Sequence, residues 1–107
     1  MKKLKAIVKR PDERYGHVTY ISPTLENLQR HVDGNIEYFY PDKEIVAIVN
    51  EEGAVTDLIY NCTINGQQLF GNILFFGRDP NNEEHGLKDL PIDFKTFKRM
   101  IEKEMRK

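Results

Sequence analysis

Cysteine is all but absent from this chain. Cys62 stands alone, so no disulfide can form within it. An excess of either charge is missing too: the formal net charge is −1, which argues against a protein whose main task is gripping a nucleic-acid backbone. Basic residues do gather at the two ends, from Lys2 to Arg10 and from Lys95 to Lys107, and read as solvated element ends. No apolar run approaches the roughly 18 residues that span a bilayer. Leu4 to Val8 is too short for a signal peptide and is broken by Lys5. The expectation is a cytoplasmic protein with no membrane partner. In that setting the Asn61-Cys62-Thr63 glycosylation sequon carries no meaning.

Recognisable chemistry is also scarce. His17, His31 and His85 fall on a strand, a helix and a loop, with no pair at a metal-motif interval, so neither a metal nor a cofactor is expected. Cys62 has no base near it in sequence and reads as a small buried side chain. Glu51-Glu52 and Glu83-Glu84 sit in polar turns, where carboxyls stay solvated and lack the shielding that general acid–base work needs. The glycines from Gly66 to Gly71 precede no lysine-bearing helix and do not form a phosphate loop. No catalytic residue is therefore assigned.

What is present is a pattern of short elements. The 107 residues, 39% hydrophobic and 31% charged, make one domain over residues 1–107. Leu4–Lys9 and His17–Ile21 read as a strand pair around a polar turn. Ser22 or Thr24 caps a helix with the apolar stripe Leu25, Leu28, Val32, closed by Gly34. Ile36–Tyr40 and Glu44–Asn50 follow as strands, the second with the unbroken run Ile45 to Val49 that suggests burial on both faces. The stretch from Ala54 to Cys62 is ambiguous between strand and helical turn. Asn65-Gly66 signals a tight turn, and Gly71 a bulge or a close backbone approach. Ile73 to Phe76 is a last strand, 78–91 a long polar loop, and Asp93 the cap of a C-terminal helix over about 93–105. That helix repeats Phe94, Phe97, Ile101 and Met105 at helical spacing.

The predicted class is α+β: a mostly antiparallel sheet of about five strands with two helices packed on one face. Tyr38 and Tyr40 share one side of their strand by period two, and Phe39 points the other way. If Phe39 faces the helices, the tyrosines lie on an open sheet face suited to binding.

Several segments in order resemble a known family. They are Leu4-Lys5-Ala6-Ile7-Val8-Lys9, Thr24-Leu25-Glu26-Asn27-Leu28-Gln29, Gly34-Asn35-Ile36-Glu37, Ile48-Val49-Asn50-Glu51-Glu52-Gly53, Asn61, and Phe70-Gly71-Asn72-Ile73-Leu74-Phe75-Phe76-Gly77. Together they are similar to the uncharacterised bacterial and phage family catalogued as domain of unknown function 3846, over residues 4 to 77. The match departs around Asp57 to Asn61, where the family pattern has a proline-containing segment. The resemblance implies an accessory protein of a phage or mobile element and transfers no catalytic residue.

The leading expectation is a non-enzymatic binding module that inhibits a host protein or sequesters a small-molecule signal. Its surface is expected around Tyr38 and Tyr40, with the turn from Asn50 to Gly53 and the 78–91 loop at the margins. Two alternatives stand beside it. One is a self-associating protein that forms a homodimer through its last strand or its C-terminal helix. The other is a small enzyme acting on a nucleotide-like signal, which requires Asn50, Glu51, Asn61 and Asn72 in one pocket.

Overall fold

The computed structural model describes residues 2–82 and 85–105. The elements run β1 (Leu4–Lys9), β2 (His17–Ile21), α1 (Leu25–Val32), β3 (Ile36–Asp42), β4 (Ile45–Asn50), β5 (Tyr60–Ile64), β6 (Gln67–Phe70), β7 (Ile73–Arg78), β8 (Leu87–Lys88) and α2 (Phe94–Met105). Six strands form one sheet in the order β2-β1-β7-β4-β3, with the short β8 on β7; β5 and β6 make a separate two-stranded ribbon. Every pairing is antiparallel. The α+β class and the antiparallel sheet are as the sequence pattern indicates.

The helices do not share one face. On β4, Ile45, Ala47 and Val49 join one buried cluster while Val46 and Ile48 join another. On β7, Ile73 and Phe75 point to the first cluster and Leu74 and Phe76 to the second. Two strands that are apolar on both sides leave two surfaces to cover. Leu28 and Val32 of α1 cover one; Phe97 and Ile101 of α2, with Cys62, Ile64 and Leu69 of the ribbon, cover the other. The sheet is the middle layer of three, and neither face is left open where the central strands lie.

Local chemistry sets the ends of the elements. Thr24 is the N-cap of α1, its hydroxyl accepting from the Asn27 N–H at 3.2 Å. Thr24→Ala is expected to lower stability by about 1 kcal/mol in a urea titration. The left-handed residue that ends α1 is Asp33, with φ 61°, and not Gly34. Gly34 has a different reason to be glycine: a Cβ there would lie 2.7 Å from Asn50 Nδ2. At α2, Asp93 Oδ1 accepts from the Thr96 N–H at 2.8 Å, and the Thr96 side chain together with that N–H holds its carboxyl below the usual range. Of the two readings of Gly71 the close approach holds: a Cβ would lie 2.9 Å from Leu58 Cδ1, and φ is +75°, whereas the irregularity of the ribbon falls between Tyr60 and Cys62.

The polar segment 78–91 is less of a loop than its composition suggests. It contains β8, and its Leu87 and Leu90 are buried, one in each cluster. The Leu90 N–H donates to the Lys5 carbonyl at 2.9 Å, which binds the segment beside β1. The Glu83-Glu84 pair lies outside the described residues. α2 packs its stripe on its own domain, with Phe97 and Ile101 fully buried and Phe94 and Met105 against the same cluster.

Candidate functional site

Strand β3 is an edge of the sheet, so among the described residues one side of its backbone has no neighbouring strand. Pro41 and a register shift between Phe39 and Asp42 interrupt its pairing with β4, as edge strands tolerate. Phe39 packs against the α2-side cluster, as the alternation requires. Tyr38 packs against the α1-side cluster and is half-buried, so it is not on an open face. Its hydroxyl donates to the His85 carbonyl at 2.8 Å, and burial pushes its pKa up. Tyr40 is 48% exposed, and the Arg78 guanidinium lies 4.8 Å above its ring centroid. β3 and the start of the 78–91 segment therefore do meet, through Tyr38, Tyr40, Arg78 and His85. The Asn50 to Gly53 turn does not join them. Ile36 pairs with Asn50 and Asp42 with Ile45, so that turn belongs to the opposite end of β3.

Asn50 and Asn72 share a structural task instead. Asn50 Nδ2 donates to the Val32 carbonyl at 3.0 Å and the Asp33 carbonyl at 3.2 Å, and its Oδ1 accepts from the Glu52 N–H at 2.7 Å. Asn72 Nδ2 donates to the His31 carbonyl at 2.9 Å. These three carbonyls are among the acceptors that the C-terminal end of α1 leaves without intrahelical partners. The Glu51 N–H donates to the Asn35 carbonyl at 2.8 Å, and its side chain is exposed. Asn50 and Glu51 line one depression, Asn61 a second and Asn72 a third. The four do not converge in one of these depressions, so the nucleotide-signal enzyme gains no assembled site from them.

Asn61 organises a different cluster, which sequence reading missed. Lys9 ends β1 with its side chain on the same side as Ile7, between the sheet and the ribbon. It is 2% exposed and Asn61 8%. The Lys9 ammonium donates to Asn61 Oδ1. Asn61 Nδ2 donates in turn to the Lys9 carbonyl at 2.9 Å and the Gly71 carbonyl at 2.8 Å. Cys62 is next to them; burial raises its thiol pKa and lowers that of Lys9. The three residues line a cavity of about 420 Å³ with Pro11 to Arg14 and Met105. The signal was available: counting by two from the inward Ile7 places Lys9 inward as well.

Glu13, which also lines the cavity, is engaged by Arg10 and His17. Burial opposes ionisation of Glu13, but the Arg10 N–H and His17 hold its carboxyl below the usual range, with His17 Nδ1 2.8 Å away. His31 is pushed down by burial and by Arg10 and Arg30. Among the described residues no group of three or more His, Cys, Asp or Glu is placed to hold a metal ion. No described helix is long and apolar enough to cross a membrane.

These features define a three-layer α+β domain with an aromatic edge strand and a lysine-lined cavity. The chain belongs to the family described as a domain of unknown function, DUF3846, whose model matches residues 1–102. No curated protein and no solved structure matches it.

Proposed function

We propose that the protein is a non-enzymatic binding module, an accessory protein of a phage or mobile element that engages a host protein in the bacterial cytoplasm. The observation that supports this reading is the exposed Tyr40 on edge strand β3 with Arg78 stacked over its ring. Tyrosine and arginine are the side chains that most often anchor protein interfaces, because each offers a large rigid apolar surface with a polar tip. The stacking holds the guanidinium in place before any partner arrives, which lowers the ordering cost of association. The unpaired side of β3 adds backbone donors and acceptors for an extended partner segment.

The test compares capture of bacterial proteins by the wild-type chain and by Tyr40→Ala and Arg78→Ala. Both substitutions sit on the surface and are expected to leave the melting temperature nearly unchanged. Each is expected to weaken retention of a specific partner about tenfold or more. A partner retained equally by all three chains would place the contact elsewhere on the molecule.

A further inference from the structure

Lys9 is a lysine that the fold encloses without a contact ion pair among the described residues; the carboxylate of Glu13 acts on it only from beyond salt-bridge reach. Its residue is 2% exposed, and lysine is almost never enclosed to that degree unless it is paired. The ion pairs of the described residues use Arg10, Arg14, His17 and Arg30; none brings a carboxylate to Lys9. An ammonium has three donors. One reaches Asn61 Oδ1, and no other described acceptor takes a hydrogen bond from it. The Asn61 amide is pinned by two backbone carbonyls, so its oxygen, and with it the Lys9 head group, is fixed in place.

The cavity of about 420 Å³ beside this head group has a mixed rim. Arg14 brings a guanidinium that is 71% exposed, already touching Tyr15 Oη at 2.9 Å and Glu102 at 3.5 Å. Glu13 is committed to His17 and Arg10, and Asp12 is exposed at the turn. Of the charged side chains that line it, Lys9 is the most deeply buried, and beside it are the Asn61 amide and the protonated Cys62 thiol. A buried cation with unused donors beside open space is complemented by an anion that brings its own acceptors.

We propose that this cavity is a binding site for a small oxyanion, a carboxylate or a phosphate group, seated on the Lys9 ammonium with Arg14 at its rim. The site is separate from the Tyr40 edge and stands independently of any partner bound there.

The test is a nuclear magnetic resonance titration of protein carrying ¹³C-labelled lysine, read at the Lys9 ε-carbon and the Asn61 and Cys62 amides. The probes are sodium acetate and sodium phosphate, each against a matched sodium chloride series. The expected result is a saturable shift with one of the two anions, which assigns the chemical class. Arg14→Gln, at an exposed position that leaves the core intact, is expected to weaken that binding about fivefold, the loss of one partly exposed charged contact. In Lys9→Met the amide shifts are expected to vanish. Three results would overturn the proposal: responses to both anions no different from chloride, an affinity unchanged in Arg14→Gln, or a saturable shift that survives in Lys9→Met. In each case Lys9 is a tie between sheet and ribbon only.

Discussion

Asn61→Ala is expected to destabilise the fold by about 4 kcal/mol, far more than the loss of one small polar side chain suggests. The substitution removes a donor from two backbone carbonyls and the acceptor from an enclosed ammonium at once. An unsatisfied buried charge is the costliest of these, because the Lys9 ammonium loses the one protein acceptor the fold gives it. Lys9→Met leaves only the Asn61 oxygen without its donor and substitutes a side chain of similar length, so its expected cost is about 1 to 2 kcal/mol. The double variant Lys9→Met with Asn61→Ala is therefore expected to be more stable than the sum of the two single losses. Urea unfolding of the four chains measures this. Strict additivity would mean that the two side chains do not depend on each other.

The same pair has a pH signature. Burial lowers the Lys9 pKa from the ordinary lysine value of 10.5. Between the lowered value and 10.5, the unfolded chain holds the proton more tightly than the folded chain does. Stability from this group therefore rises with pH across that window. The wild type is expected to gain on Lys9→Met as pH rises through the window, whatever the other groups contribute to both chains. A difference that stays constant with pH would show that the Lys9 proton is held equally well in the folded and unfolded chains.

Phe75→Ala is expected to cost about 4 kcal/mol, a large share of the 5–15 kcal/mol typical of a domain. Phe75 sits on β7 between Ile7 of β1 and Ala47 of β4, and its ring meets Phe97 of α2 edge-on with centroids 4.9 Å apart. Truncation opens a void where sheet and helix join, and neither strand neighbour can move in to fill it. Phe76→Ala is expected to cost a similar amount but through the other cluster, under α1. The two are separated by Phe97→Leu: coupling with Phe75→Ala of about 1 kcal/mol, from the lost ring pair, and none with Phe76→Ala. Equal coupling with both would contradict the division of the core into two halves.

How much of this was legible beforehand follows from the range of the forces involved. The bounds of β1 and β2, the Asn65-Gly66 turn, the Thr24 cap and the Asp93 cap rest on contacts within a few residues, and sequence carries those directly. The buried stripe of α2 was legible for the same reason: Phe97 and Ile101 repeat at the period of the helix that holds them. β8 was not, since two residues give no period to read. The sequence alone does not separate Asn50 and Asn72 from ligand groups, because an asparagine at a strand end has the same sequence appearance whether it faces a ligand or a helix terminus. Only the passage of α1 over β4 and β7 assigns them to the carbonyls of His31, Val32 and Asp33.

By itself, then, the sequence determined the class, most strand positions, both helix starts, and the fact that β4 is apolar on both sides. The tertiary structure alone decided that the two helices take opposite faces, because periodicity says that a face must be covered but not by which element. It also decided that Lys9 and Asn61, 52 residues apart, close on each other beside a cavity. The physical reason is that a side chain's own strand sets its direction, whereas its partner is set by strand order, which depends on the packing of the whole chain.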